Sequence, residues 1–406
     1  QGFDETLACV YSVLAAENTT PHEIILINDA GPDSALIQRL ETLASAGAVT
    51  LIQNDSNRGF VATVNRGMKL HPDRDVVLLN SDTEVYHDWI DRLRTAASAD
   101  PATASVTPFS SNGGLCSYPY FNHDNYMDIG SYELIDSLVR ESAPGKTIEI
   151  PTAIGFCMYI RRDAIERVGY FDEEAFGRGY GEENDFSRRA VTAGLNNVMA
   201  LDTYVRHIGA TSFGSDKPER LIAAGVILDA RYPDYRTAVD SFIERDPILP
   251  FRRSVDAARL RSTLPHHRTV LHVLHAAGGG IEKHVRELAG YLDASGWNSV
   301  LLWPDAGTLM VHLTSIRLEH TPNLIYMLDK SRGELFDVLC QLDVVHVHVH
   351  TLMDFPPDAA EKVMLLCAAL GVSYDVTLHD NYWICPRVNL VDSTRIYCGE
   401  PPVSLC

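Results

Sequence analysis

Apolar and polar positions alternate along the first part of the chain between two periods. Asp4 to Ala16 carries apolar residues at helical spacing, and Glu23 to Ile27 is a β-type run ending at Asn28-Asp29. Ala30-Gly31-Pro32-Asp33 marks a turn, followed by a helix over Ser34 to Ala46, a strand over Val49 to Gln53 and a helix over Val61 to Lys69. Val76-Val77-Leu78-Leu79 then runs straight into the polar knot Asn80-Ser81-Asp82-Thr83-Glu84 and a further helix. Strict alternation of strand and helix predicts an α/β fold with right-handed βαβ units, a mostly parallel sheet and helices on both faces. Ligands of such sheets lie beyond the carboxyl ends of the strands, which is where this pattern delivers Asp82.

The pattern loosens after Pro108 into a Ser/Asn/Gly/Tyr/Pro loop, Ser110 to Gly130, of a length that more often serves function than connection. A short helix, an apolar run over Pro151 to Ile160 and a helix over Asp163 to Val168 follow. Gly177-Arg178-Gly179-Tyr180-Gly181 is too glycine-rich to be regular and leads into Glu182-Glu183-Asn184-Asp185-Phe186, the start of a helix reaching about Ala193. A strand over Asn197 to His207 returns toward the site, and amphipathic helices fill Glu219 to Arg245. Asp246-Pro247-Ile248-Leu249-Pro250 breaks the pattern, and the basic stretch Phe251 to Arg268 reads as a linker or linking helix. A second α/β domain begins at Thr269, with strands over Thr269 to Leu274, Ser299 to Trp303, Asp343 to His350 and Val372 to Leu378. The expected division is 1–250, a linker at 251–268, and 269–406.

Composition narrows the function classes. At 406 residues and 46% hydrophobic content the chain has material for two or three cores. A formal net charge of −20 argues against nucleic acid as a partner, since such proteins present a basic face. No run approaches the roughly 18 apolar residues of a membrane span and no signal peptide opens the chain, which makes a cytoplasmic location the default expectation. Most cysteines, among them Cys9, Cys157, Cys340 and Cys367, sit in apolar segments and are expected to act as small buried hydrophobes. A disulfide framework is not expected, and both ends of the chain read as cut.

Four polar clusters stand at strand or loop ends: Asp29, Asn80-Ser81-Asp82, Glu182-Glu183-Asn184-Asp185 and His207. Brought to one sheet edge, they suit a divalent metal on a diphosphate, with one carboxylate left as a base. Taken singly, each has a plainer reading. Asp29 and Asp33 are turn formers, Asn80-Ser81-Asp82 is an N-cap, Glu182 and Glu183 complement a helix dipole, and a lone strand-end histidine is commonly a satisfied core residue.

The ordered set Asn28-Asp29, Asn57-Arg58-Gly59-Phe60 with Asn65 and Gly67, Asn80-Ser81-Asp82-Thr83, Gly155-Phe156-Cys157, Val168-Gly169-Tyr170-Phe171-Asp172, Gly181-Glu182-Glu183-Asn184-Asp185-Phe186 and His207-Ile208-Gly209 resembles family 2 glycosyltransferases of the GT-A fold, especially the rhamnosyltransferase-like group. The resemblance covers about residues 2 to 245. It implies that Asp29 contacts the nucleoside base, that Arg58 and Asn65 line the nucleotide pocket, and that Asn80 and Ser81 belong to the donor site. Asp82 and His207 would hold Mg2+ or Mn2+, Glu183 would be the general base with Asp185 orienting it or the acceptor, and Gly155, Phe156 and Glu182 would meet the acceptor. Two departures stand out: the family's first strand is absent before Gln1, and Asn80 replaces the first aspartate of Asp-x-Asp.

In the second domain, Val273-Leu274-His275-Ala276-Ala277-Gly278-Gly279-Gly280 is a strand and glycine turn opening a helix that suits an anionic ligand. Together with Asp343-Val344-Val345-His346-Val347-His348 and Thr377-Leu378-His379-Asp380 it resembles the N-terminal, Rossmann-like half of a family 4 glycosyltransferase of the GT-B fold, which would not transfer sugar by itself. His346, His348 and His350 share one face of a strand; zinc is one reading, and a histidine at the active-site cleft, which the resemblance implies, is the better one. Cys385, Cys398 and Cys406 lack the paired spacing of a zinc module.

The expected protein is thus an inverting hexosyl- or rhamnosyltransferase using a nucleotide-sugar donor and a glycan or lipid-linked acceptor. Its expected setting is O-antigen or other bacterial cell-surface polysaccharide synthesis, with peripheral association at the cytoplasmic face of the membrane. The alternatives are a catalytically impaired sugar-nucleotide-binding or scaffold module, and a nucleotidyltransferase-like enzyme, which the Gly181 to Phe186 and His207 motifs disfavour.

Overall fold

The computed structural model describes residues 2–125, 130–177, 179–209, 217–305, 308–328, 332–379, 390 and 396–398. The chain divides into two compact units, Gln1–Val255 and Asp256–Cys406.

In the first unit, helix α1 (Phe3–Ala15) precedes strand β1 (Ile25–Asn28), helix α2 (Ser34–Ser45) and strand β2 (Thr50–Gln53). Asp33 caps α2 by accepting the Leu36 N–H at 3.0 Å, so the turn-forming reading of this aspartate holds. Helix α3 (Phe60–Met68) leads to β3 (Val76–Leu79). Directly after the polar knot the chain forms a two-residue strand, β4 (Thr83–Glu84), and only then α4 (Trp89–Ser98). Next come β5 (Thr103–Ser110), α5 (Tyr132–Ser142), β6 (Thr147–Ile150), β7 (Cys157–Ile160), α6 (Arg162–Val168) and α7 (Glu173–Phe176). Helix α8 (Glu182–Thr192) and the long strand β8 (Asn196–His207) complete the site-bearing part, followed by α9 (Lys217–Arg231), α10 (Tyr235–Arg245) and α11 (Leu249–Ser262). The basic stretch from Phe251 is therefore helical as far as Ser262, and the division between units falls inside α11.

The main sheet of this unit has the order β3-β7-β5-β8-β4, with β6 also on β8. Only β5 and β8 run parallel in it; β3/β7, β7/β5, β8/β4 and β8/β6 are antiparallel. The expectation of a mostly parallel sheet is corrected to a mixed one. The cause is the chain's excursion after β5 through α5 and β6, which returns β7 in the opposite direction between β3 and β5. Both faces are covered: Met158 and Ile160 of β7 pack with α3, α6, α8 and α9, while Cys157 and Tyr159 pack with α1 and α4. β1 and β2 form a separate parallel pair. Between β1 and β3 lies a cavity of about 1180 Å³, walled by residues such as Leu26, Ile27, Val76 and Leu78.

In the second unit, β9 (Thr269–Val273), α12 (Gly279–Ala294), β10 (Asn298–Pro304), β11 (Met310–Ser315) and β12 (Ile325–Met327) are followed by α13 (Arg332–Gln341), β13 (Val344–Val349), α14 (Ala359–Leu370) and β14 (Ser373–Val376). The sheet order is β12-β11-β10-β9-β13-β14, parallel from β10 to β14. Strand alternation sends Leu271, Val273, Val347 and Val349 into the core shared with α13 and α14. The opposite face is covered by Ile281 and Val285 of α12, and His272, His348 and His350 lie on it. Burial first, and neighbouring histidines second, hold His272 and His350 well below the ordinary imidazole range.

Cys9, Cys157 and Cys367 are buried as expected, whereas Cys340, at the end of α13, is exposed. Cys385 and Cys406 lie outside the described residues. Among the described residues no helix is long and apolar enough to cross a membrane.

Candidate active site

The register of β4 on β8 places Thr83 opposite His207, and this single pairing brings the two proposed metal residues together. Asp82 is 4% exposed, and its Oδ1 lies 3.5 Å from His207 Nε2. The His207 ring is held from behind. Its Nδ1 is 2.6 Å from the Asn112 carbonyl oxygen, and it stacks on Phe156 with centroids 5.3 Å apart. A carbonyl can only accept, so Nδ1 carries a proton, and Nε2 is the ring nitrogen that faces Asp82. An imidazole nitrogen and a carboxylate oxygen facing each other fit a divalent cation held by both. Asn112 also donates from Nδ2 to the His207 and Ile208 carbonyls at 2.8 and 2.9 Å, and the Ser111 hydroxyl accepts the His207 N–H at 3.0 Å. Ser111 and Asn112 were not singled out in sequence; their only signal was membership of the long loop after Pro108.

Asn80 and Ser81 line the β1/β3 cavity together with Asp29, Asn57, Gly59 and Arg220. The Asn80 N–H donates to the Phe156 carbonyl at 2.9 Å, tying the end of β3 to β7. Asp29 serves the pocket through its loop. Its Oδ1 accepts the Arg58 N–H at 2.8 Å and Asn54 Nδ2 at 2.7 Å, and its Oδ2 accepts the Gly59 N–H at 2.9 Å. Burial pushes the carboxyl up, but these hydrogen bonds outweigh it and hold Asp29 below its ordinary range. Gly59, with φ of 85°, adopts the left-handed conformation that lets the loop turn into α3. Arg58 is exposed and contributes its backbone to this loop.

Asn65 does not line the cavity. It is 1% exposed, donates to the Phe171 carbonyl and Glu173 Oε1 at 2.8 Å each, and accepts the Phe171 N–H at 3.1 Å. An amide with its groups so committed is a clasp between α3 and the segment before α7.

Gly181 opens α8 with φ of 92°, and a Cβ there would lie 2.9 Å from the Ala224 methyl group, so only glycine fits this approach. The first turn of α8 then presents Glu182 and Glu183. The Glu183 side chain lies against Gly155, and its Oε2 is buried without a hydrogen bond. Glu182 is 4% exposed, also with a buried, unbonded Oε2. Burial raises both carboxyls; Glu182 is pushed to about 8, by burial and then by the negative charge of Glu183. The pair therefore gives up its protons in two separate steps, and after the first it holds one carboxylate and one neutral carboxyl side by side.

Asp185, expected to serve the reaction, is fully buried and committed elsewhere. Its Oδ2 accepts Arg189 Nε at 2.8 Å, while Oδ1 accepts Arg231 Nη1 at 2.8 Å and the Tyr232 hydroxyl at 2.9 Å. These contacts bolt α8 to α9 and engage both oxygens. The structure thus unites Asp82, His207 and Phe156 directly, adds Glu183 through Gly155, and assigns Asn65 and Asp185 to the framework.

Residues 3–169 match the family model described as Glycosyl transferase family 2; Glu183 and His207 lie beyond the matched residues. Among solved structures, the chain is similar to GalNAc-T7 with UDP, GalNAc and Mn2+ (17% identity, TM-score 0.44, covering 62% of this chain and 50% of that one). It is also similar to a mannosyltransferase from Pyrobaculum calidifontis in complex with GDP-Man and Mn2+ (14% identity, TM-score 0.39, covering 72% of this chain and 76% of that one). No curated protein sequence matches significantly.

Proposed function

We propose that the first unit transfers a sugar from a nucleotide-sugar donor to a glycan or lipid-linked acceptor by inverting displacement. The observation that carries this reading is the contact chain from Glu183 to Gly155 and, through the adjoining Phe156, to His207 and Asp82. Glu183 takes the proton from an acceptor hydroxyl, whose oxygen bonds to the anomeric carbon as the bond to the nucleoside diphosphate breaks. Glu182, still protonated, donates a hydrogen bond to the acceptor beside Gly155 and Phe156. Asp82 and His207 would hold Mg2+ or Mn2+, which when bound neutralises charge on the departing diphosphate. The donor lies along Asn80, Ser81 and the loop held by Asp29. A hexosyl or rhamnosyl donor, a role in cell-surface polysaccharide or O-antigen assembly, and work at the cytoplasmic face of the membrane complete the proposal. The second unit is proposed as the acceptor-side half of a GT-B fold, a reading supported by its parallel β10-β9-β13-β14 core.

Two measurements test the parts. Asp82→Ala is expected to weaken metal-dependent donor binding by at least about 100-fold in calorimetry, given that even outer partners of metal ligands are worth roughly 10- to 100-fold. Donor affinity that stays metal-dependent in that variant removes Asp82 from the site. The pH profile reads the glutamate pair. kcat/KM should rise as the glutamate pair loses its first proton and inflect again near pH 8 as it loses the second, and Glu182→Gln should remove the second inflection. The same group makes the fold less stable as pH rises from about 4.5 toward 8, because the native state keeps a proton that the unfolded chain has released. A second inflection that survives Glu182→Gln disproves the assignment.

A further inference from the structure

In the second unit, five histidines from separate elements meet on the face of the sheet covered by α12. His272 on β9 is the register partner of His348 on β13, His350 directly follows β13, His379 follows β14, and His284 lies on α12. The strand order reverses between β9 and β13, since the chain goes from β9 to β10 on one side and later to β13 on the other. The crevice beyond the carboxyl ends of β9 and β13 is therefore the switch point where open α/β sheets bind ligands. His350 lies at the end of β13, and His379 just beyond the end of the neighbouring β14.

We infer that His284, His350 and His379 form a binding site for a zinc-class transition-metal ion, with His272 and Ser299 supporting it from behind. The ligand nitrogens of the three residues lie within 4.8 Å of one another. His350 Nδ1 and His379 Nε2 are 3.0 Å apart, close to the separation of about 3.4 Å for two nitrogens on a tetrahedral ion with bonds of about 2.1 Å. The other nitrogen of His350, Nε2, is 3.0 Å from His272 Nδ1, and His272 Nε2 is 3.2 Å from Ser299 Oγ. With the protons of His350 and His272 both on Nε2, each donates backward along this chain and His350 Nδ1 keeps its lone pair for the ion. That is the backing which metal-bound imidazoles ordinarily have. His284 is exposed and supplies the open side through which an ion enters.

The neighbouring trio of His272, His348 and His350 also has nitrogens within 4.8 Å, but it is the poorer choice. His348 stacks flat on His350, with centroids 4.1 Å apart and planes 3° from parallel, so their nitrogens run side by side and do not converge. Its Nε2 is also engaged with Thr377 Oγ1 at 2.7 Å. His346, which the strand pattern grouped with these residues, faces Ser373 and Asp375 instead. Imidazole nitrogens as ligands select zinc, cobalt, nickel or copper over the oxygen-seeking Mg2+ and Mn2+. Three protein ligands leave one position open for water or a ligand anion.

The test is Co2+ titration of the whole chain, stripped by chelator and held in excess Mg2+ to fill oxygen-rich sites, followed by visible absorption. One equivalent should bind with the intense bands of a tetrahedral nitrogen site, and Zn2+ should displace it. His284→Ala, at an exposed position that leaves the core untouched, should weaken Co2+ binding by at least about 100-fold, and His272→Ala by about 10-fold. Circular dichroism of both variants separates loss of metal from loss of fold. No tetrahedral spectrum, native affinity in His284→Ala, or a thiolate charge-transfer band marking cysteine ligands would each overturn the site.

Discussion

Glu183→Gln is expected to lower kcat for sugar transfer by roughly 100- to 10,000-fold while leaving nucleotide-sugar affinity and thermal stability close to those of the native protein. The magnitude is that of a general base lost at constant geometry. Gln has the same shape, and with its amide nitrogen in place of the unbonded Oε2 the remaining oxygen keeps the backbone hydrogen bonds, so the change removes a proton acceptor and little else. Donor binding is spared because Asp29, Asn80 and Ser81 line a cavity that Glu183 does not reach. Transfer and donor calorimetry on one preparation give the answer. Turnover within a few-fold of native removes Glu183 as the base, and a parallel loss of donor affinity makes it a binding group.

The second large effect is on stability. Asp185→Asn should cost about 3 kcal/mol, the lower end for breaking a buried ion pair, because Arg189 and Arg231 keep some access to water. At roughly 2–4 °C per kcal/mol for a unit of this size, melting falls by on the order of 10 °C. The variant leaves two guanidiniums facing a neutral amide at the α8–α9 junction, which is why the loss exceeds that of a surface pair. Differential scanning calorimetry measures it. A variant with native melting and no transfer would return Asp185 to the reaction itself.

These two carboxylates, two residues apart, show where sequence stops being informative. Glu183 was legible because glycine punctuation and a helix start mark it as the opening of a helix at the end of a loop, and its neighbours in sequence offer it no cationic partner. Asp185 is likewise a carboxylate in the same motif, but its role is set by Arg231 at the end of α9 and Tyr232 just after it, a pairing that exists only once the helices pack. Asn65 was misplaced for the same reason: its partners, Phe171 and Glu173, are remote in the chain. Strands β1, β3 and β8 were readable from apolar runs ending in polar residues. β5 was missed because Thr103, Ser105, Thr107 and Ser110 are polar side chains buried within the sheet, which a period-two pattern records as loop. Mixed strand direction was equally hidden, since alternation of elements does not reveal which way a returning strand runs.

β8 joins β4, β5 and β6 to itself, and its last residue is His207. The proposed metal pair therefore depends on a strand pairing that spans much of the first unit, one of the contacts with the highest loop-closure cost and so among the slowest to form. During synthesis, the stretch around Asn80 is made and able to adopt local structure well before its partner leaves the ribosome. Completion of the proposed site is in this sense a terminal event of folding: a chain that has gained its helices but not docked β8 has not brought His207 to Asp82.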